Sequence, residues 1–135
     1  SVETTKKSLR RWVDGYQNPL QFKWAIVFDN EVVGSIDVVH LEEKLDAVEI
    51  GYALSRKCWG KGIMTEALIA VSRYLLEEAG CNRVAARHDV NNPASGKVMQ
   101  KAGMTYEGTL RQYGKNNQGI CDMAYYSIIK ADRLK

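Results

Sequence analysis

Between residues 47 and 90 the hydrophobic period changes twice, and that change leaves the chain few architectures. Residues 47–54 alternate, with Val48, Ile50, Tyr52 and Leu54 on one face and Glu49, Gly51 and Ala53 on the other. That is the two-residue period of a half-buried strand. Over residues 62–79, Met64, Leu68, Val71 and Leu75 recur at helical spacing, with Ala67 and Tyr74 beside them and Gly80 placed as a terminator. Residues 83–90 return to a strand pattern. Strand, helix and strand in succession predict a parallel crossover, right-handed as such connections almost always are.

Shorter strands flank this unit. Residues 24–28 and 32–41 read as strands joined at the turn Asp29-Asn30, hence antiparallel, and the polar turn Glu42-Glu43-Lys44 leads into the strand at 47–54. Residues 92–101 predict a short helix stopped by Gly103. Residues 105–112 and 121–129 predict two final strands around the turn-rich stretch 114–119. At the start, Val2, Leu9, Trp12 and Val13 lie among charged residues, the pattern of an amphipathic helix over 2–13 that ends before Gly15 and Pro19. The order is α-β-β-β-α-β-α-β-β, an α/β chain with a mixed sheet. Its 135 residues contain no linker, repeat or low-complexity tract, so residues 1–135 read as one domain.

Several function classes drop out on composition. The longest apolar run, residues 24–28, is five residues, against the ~20 of a membrane helix. No signal-peptide pattern opens the chain. Cys58, Cys81 and Cys121 make an odd number without CxxC spacing, against a disulfide framework or a zinc site and in favour of a reducing, cytoplasmic setting. His40 and His88 belong to no metal-ligand pattern, so no metal is expected. A net charge of +3 is too small to argue for nucleic acid. Its distribution is more telling: residues 55–64 carry Arg56, Lys57 and Lys61 with no acid, whereas 41–50 carry four acids and one lysine. A local cationic patch implies a local anionic ligand.

That patch lies in the segment joining strand to helix, Leu54-Ser55-Arg56-Lys57-Cys58-Trp59-Gly60-Lys61-Gly62-Ile63-Met64-Thr65. Two glycines two apart let the backbone turn tightly and expose successive N–H groups. The helix that follows adds unpaired donors and a partial positive charge. Together they form a candidate cradle for phosphate or pyrophosphate; the alternative is a glycine-rich turn that packs closely. A P-loop pattern is absent, and Thr65 stands where a dinucleotide fingerprint needs its third glycine. The antiparallel strands around the loop also disfavour a Rossmann-type fold.

Glu49-Ile50-Gly51-Tyr52-Ala53-Leu54 followed by Trp59-Gly60-Lys61-Gly62-Ile63-Met64-Thr65-Glu66-Ala67 resembles the acetyl-CoA-binding motif of the GCN5-related N-acetyltransferases (GNAT). The nearest resemblance is to the ribosomal-protein N-terminal (Rim-type) branch. Asn91-Asn92-Pro93-Ala94-Ser95, Lys101-Ala102-Gly103-Met104 and Glu107-Gly108-Thr109-Leu110-Arg111 resemble that branch's later motifs. The similarity runs over nearly the whole chain.

The resemblance implies a GNAT-like acyl-CoA N-acyltransferase fold with a mostly antiparallel sheet, flanking helices, and a parallel strand pair that splays to take the pantetheine arm. It implies acetyl-CoA as co-substrate and a primary amine as acceptor, either a peptide N-terminus or a small metabolite, with no nucleic acid and no membrane. The cofactor residues carried over are Ala53, Leu54, Ser55, Trp59, Gly60, Lys61, Gly62, Ile63, Met64, Thr65, Asn92 and Ser95. The pyrophosphate is expected on the N–H groups of residues 59–65. Ser1 to Trp12 resembles the family's second helix, so the resemblance implies a chain short of the family's first strand and helix. An absent strand is expected to leave a sheet edge unpaired, which invites a partner chain such as a second copy in a homodimer, or lowers stability.

For the chemistry, Glu49 is the candidate base, directly or through water; the alternative is a strand carboxylate paired with a Lys or Arg. Ser95 is the family-matched donor to the leaving sulfur, with a cofactor bond or helix capping as its alternatives. Asn92 caps the same helix or bonds the pantetheine amide. Tyr106 and Tyr113 are further donors or strand packing. The oxyanion donor is expected at a backbone N–H near Ala53 or Leu54. Lys6, Lys7, Arg10 and Arg11 contact an acidic acceptor or form a solvated helix face. Two departures stand out, Trp59 where relatives carry Gln or Arg and Met99 where many carry a Tyr acid. They support a second class of reading, a non-catalytic acyl-CoA-binding or sensor module.

Overall fold

A computed structural model gives the fold, and it describes residues 23–133. The helix expected at 2–13, with its basic face, lies outside the described residues. The elements are β1 (Lys23–Phe28), β2 (Glu31–Glu42), β3 (Ala47–Leu54), α1 (Ile63–Glu77), β4 (Arg83–Asp89), α2 (Pro93–Lys101), β5 (Thr105–Asn116), β6 (Gly119–Ile129) and α3 (Lys130–Arg133). Single 3-10 turns at Glu43–Leu45 and Arg56–Cys58 flank β3. From the first strand on, the order of elements matches the sequence expectation, with a short C-terminal helix added.

Among the described residues, six strands form one sheet in the order β1-β2-β3-β4-β6-β5. Every neighbouring pair is antiparallel except β3 and β4, the parallel pair joined through α1. The final hairpin runs further than expected. Residues 114–119 read as a loop, yet most of them sit in the two strands and the turn narrows to Asn117 and Gln118. Asn116 Oδ1 accepts from the Gln118 N–H at 2.7 Å, closing the turn locally. Gly114 belongs in the strand because the Met123 side chain fills the space in front of it; an added Cβ would lie 2.4 Å from the Met123 sulfur.

The core lies on the face of the sheet covered by α1 and α2. Trp24, Ile26, Ile36, Val38, Val48, Ile50, Val84 and Ala86 present it from the strands. Met64, Leu68, Val71, Leu75 and Leu76 come from the predicted apolar stripe of α1, and Met99 from α2. Burying each large side chain contributes roughly 1.5–3 kcal/mol. The three cysteines are buried and unbridged. Among the described residues, no helix is long and apolar enough to cross a membrane.

Two irregularities position the site. Val38 pairs with Ile50 while His40 pairs with Glu49, so Val39 is an extra residue that bulges β2 opposite that point of β3. A bulge bends and twists its strand. Gly51 makes room for it, with the Val39 Cγ1 only 3.3 Å from where a Cβ would be. At the other end of β3, β2 passes very close: a Cβ on Gly34 would lie 2.4 Å from the Ala53 carbonyl oxygen and 3.1 Å from the Leu54 Cα.

Those neighbours are backbone and cannot swing aside. Gly34→Ala is therefore expected to cost about 1–3 kcal/mol, read as a lowered denaturant midpoint. A second prediction concerns Arg83 on β4, which bonds Glu107 on β5 across β6, one arm of the pair at 2.8 Å. The guanidinium holds the Glu107 carboxyl below its usual range, against the opposing effect of partial burial. A carboxyl with a depressed folded pKa contributes stability above its unfolded pKa, ~4.3, and loses it as pH falls through the folded value. Glu107→Gln should flatten the acid limb of a melting-temperature-against-pH profile and leave the neutral-pH slope unchanged.

Candidate functional site

β3 and β4 pair only through Ala47↔Arg83, Val48↔Val84 and Glu49↔Ala85. Beyond that point the two strands no longer pair with each other, although β3 runs on to Leu54 and β4 to Asp89. The splay expected from the family resemblance is therefore built into the fold. The ladder fixes which groups face the opening. The Ser55 N–H donates to the Val33 carbonyl at 2.7 Å, in the same register that pairs Leu54 with Gly34. Groups alternate direction along an antiparallel strand, so Ala53 and Gly51 address β2, while the N–H groups of Tyr52 and Leu54 face the gap. Of the two positions named for an oxyanion donor, Leu54 has the right direction and Ala53 is committed to β2.

The glycine loop continues from the mouth of this gap. Gly60 and Gly62 have φ of 76° and 77°, a left-handed conformation that costs other L-residues roughly 1–2 kcal/mol. A Cβ at either would meet nothing within 4 Å, so close packing is not why glycine stands there. Backbone direction is. Gly62 caps α1 without a side-chain bond, and its carbonyl accepts from the Glu66 N–H at 3.1 Å. Among the described residues, the N–H groups of residues 60–65 have no backbone partner. Trp59 differs from the expected run: its N–H donates to Arg56 at 3.1 Å, and its indole N–H to the Leu54 carbonyl at 2.9 Å. The cations crowd round this turn, with Arg56 over the Trp59 ring, Lys61 over Phe28 and Lys57 bonded to Glu31.

On the helix side of the gap, Tyr52 and Ser95 meet. The Tyr52 hydroxyl lies 2.6 Å from the Ser95 Oγ and donates to the Ser95 carbonyl at 3.1 Å. Burial pushes the Tyr52 phenol up, and the Ser95 bond partly offsets this. Asn92 occupies the cap position of α2 but makes no capping side-chain bond, and Ser95 spends its hydroxyl on Tyr52 rather than on a backbone amide. Gly96 lets this turn of α2 rest on β4, since a Cβ there would come within 2.7 Å of the His88 Nε2. Met99, one turn further, is fully buried in the core.

On the opposite face, Glu49 is in an ion pair with Arg87, Oε2 to Nε at 3.2 Å. Arg87 in turn donates to the Tyr125 hydroxyl at 2.9 Å and lies over the rings of Tyr113 and Tyr125. The carboxylate is thus partnered by an arginine, as the bland reading of Glu49 expected, and held beside the point where the strands separate. Further along the same face Ala53 is exposed, whereas the space at Gly51 between them is shared with Val39. Tyr106 bonds Thr109 at 2.7 Å and packs on Tyr126.

A long ligand with an anionic middle fits these groups, with amides of residues 60–65 for a pyrophosphate and gap-facing amides for an extended arm. Among the described residues, no cluster of His, Cys, Asp and Glu could hold a metal ion. Tyr52 and Arg87 are the members that sequence reasoning overlooked. Tyr52 reads as one more apolar-face residue, and its signal is a buried ring whose polar tip needs a partner. Arg87 is a cation within a strand, whose partner 38 residues away is not visible in the pattern.

The family model "Acetyltransferase (GNAT) domain" matches residues 1–105. The N-acetyltransferase YoaA of Bacillus subtilis (strain 168) is 30% identical over 132 residues, 96% of this chain and 75% of that protein. The ribosomal-protein-serine acetyltransferase of Escherichia coli (strain K12) is 29% identical over 96% of this chain and 72% of its own length. A solved structure of RimL, a ribosomal L7/L12 alpha-N-protein acetyltransferase in complex with coenzyme A, superposes with a TM-score of 0.79. It is 27% identical, over 96% of this chain and 73% of that one.

Because backbone direction rather than packing sets the two glycines, Gly60→Ala and Gly62→Ala should each destabilise the fold by only about 1–2 kcal/mol. Calorimetry should show coenzyme A binding weakened by tenfold or more, since the amides would turn away from the ligand.

Proposed function

The chain belongs to the GNAT acetyltransferase family, in the branch of Rim-type ribosomal-protein acetyltransferases, and on that premise we propose that it moves the acetyl group of acetyl-CoA directly to a primary amine. The observation that carries this reading is the parting of β3 from β4 after three residue pairs, at the mouth of a turn whose amides have no backbone partner among the described residues. Residues 60–65 hold the pyrophosphate, Lys61 and Arg56 add cationic charge, and Tyr52 and Leu54 offer amides to the arm and the acyl oxygen. Asn92 and Ser95 lie at the start of α2 on the helix side. The co-substrate supplies an activated acyl thioester.

Glu49 takes the amine's proton, directly or through water, from its place beside Arg87 at the foot of the gap. An α-amine, pKa ~8, asks less of such a base than a lysine, ~10.4. With two relatives named for ribosomal proteins, one for a serine and one for an alpha-N-acceptor, a protein N-terminus is the favoured acceptor over a small metabolite amine. The Glu49–Arg87 ion pair also favours the second reading, a module that binds acyl-CoA without turnover.

Release of free CoA thiol, followed over a panel of peptides with free N-termini and small amines, separates the two. Turnover with a peptide supports the enzyme reading; a thermal shift with acetyl-CoA but no thiol release from any acceptor supports the module. In the active chain, Glu49→Gln should lower kcat by about a hundredfold at unchanged acetyl-CoA affinity. Unchanged turnover would remove Glu49 from the chemistry.

A further inference from the structure

We infer that Arg87 is a positioning residue: it keeps the Glu49 carboxylate at the foot of the β3–β4 gap by charge alone, and so leaves both carboxylate oxygens open to the acceptor's proton. This rests on the reading of Glu49 as the base.

Arg83 and Arg87 share one face of β4 by strand alternation, and each meets a carboxylate differently. Arg83 and Glu107 form a two-armed pair in which both carboxylate oxygens accept hydrogen bonds. Arg87 and Glu49 approach to 3.2 Å, Nε to Oε2, but the contact is Coulombic. Among the described residues, neither Glu49 oxygen accepts a hydrogen bond. The difference comes from what else holds the guanidinium. The hydroxyl of Tyr125, its cross-strand neighbour on β6, accepts from Nη1 at 2.9 Å. The rings of Tyr113 and Tyr125 lie 5.9 and 5.8 Å from the guanidinium carbon. Its plane is set by β5 and β6 rather than by the carboxylate. A carboxylate in a two-armed pair must give up a hydrogen bond before it takes a proton; Glu49 has none to give up.

Tyr113 reaches Arg87 through a distorted stretch of β5. Leu110 pairs with Met123 and Gly114 with Cys121, so residues 111–113 stand opposite Asp122 alone. Within this bulge Gln112 holds a φ of 51°, a left-handed conformation that a residue with a side chain adopts only when its surroundings impose it. Asp122 Oδ1 fixes it there, accepting from the Gln112 N–H at 2.8 Å. Bulges re-aim side chains, and this one sets the Tyr113 ring over the guanidinium.

The pair stands where the reaction needs a base. Glu49 is the last β3 residue paired with β4, and Arg87 comes two residues after its partner Ala85. The contact therefore bridges the two strands where they part. As the amine nitrogen forms the C–N bond, the C–S bond breaks and sulfur keeps the electron pair as thiolate. The nitrogen's proton passes to Glu49, directly or through water, and then to solvent, while the thiolate gains a proton from water. An arginine stays charged at every working pH, so the carboxylate returns to the same place after each cycle.

The test uses the amine of the panel above that releases thiol fastest, with Arg87→Ala, Tyr125→Phe, Glu49→Gln and the Arg87→Ala, Glu49→Gln double variant. Arg87→Ala should lower kcat about tenfold or more at unchanged acetyl-CoA KM. Added guanidinium ion should restore much of that loss, whereas urea, a neutral molecule of similar shape, should not. Tyr125→Phe keeps the ring and removes only the hydroxyl, so it should cost about fivefold in kcat; it carries the test where Arg87→Ala fails to fold. In the Glu49→Gln background Arg87→Ala should add nothing, because it acts through that carboxylate. An unchanged or raised kcat in a folded variant, rescue by urea as well as by guanidinium, or fully additive losses overturns the inference alone. Full turnover by Glu49→Gln, or no thiol release from any amine by the native chain, overturns the base reading and the inference with it.

Discussion

The separation of β3 from β4 is the constraint on which the rest of this structure depends. A buried strand normally hands every N–H and C=O to its neighbours, because an unpaired backbone group away from water costs as much as a lost hydrogen bond. Here a parallel pair in the middle of a six-stranded sheet stops after Glu49 and Ala85. Among the described residues the Trp59 indole takes the Leu54 carbonyl, and the other gap-facing groups of β3 beyond that point are left to water or a ligand. The outer strands compensate, since β2 follows β3 to its end and β6 follows β4 along its full length. The sheet therefore stays continuous at its base while opening at its centre. The glycine turn, the start of α2 and the Glu49–Arg87 pair are all placed by that opening.

The two faces of the opened strands carry different chemistry. On the helix side lie neutral hydroxyls, Tyr52 with Ser95, above an apolar core. On the other side lie charges and aromatic rings, Glu49 with Arg87, Tyr113 and Tyr125. The two-residue alternation of β3 produces this division directly, Glu49 and Tyr52 belonging to opposite faces. One strand thus sorts a charged, aromatic face from a neutral, hydroxyl-bearing one without a dedicated loop for either.

Much of this was legible in the sequence, for identifiable reasons. The change of period around residues 54–62 depends only on local spacing, and it located β3, α1 and β4 to within two residues. The glycines at 60 and 62 pointed to backbone direction, and their positive φ with open space around them agrees. Other features depend on contacts between distant residues. The bulge at Val39 is a matter of pairing register and leaves no mark in alternation. Tyr52 looks like core until Ser95, 43 residues away, is brought beside it. The last hairpin misled for the opposite reason: Gly114 is a turn former by type but a strand residue in fact, because the Met123 side chain occupies its front.

The Val39 bulge has a kinetic consequence. It leans on Gly51 at the level where β3 departs, so the ladder of β2 on β3 is reshaped at the very point where β3 leaves β4. A guest that lies between two strands would ordinarily have to unzip them at each encounter, a slow step that lowers its on-rate. In this fold the unzipping is done once, as the chain folds. Arrival of an extended ligand then becomes a matter of diffusion and alignment, and repeated cycles leave the scaffold unaltered.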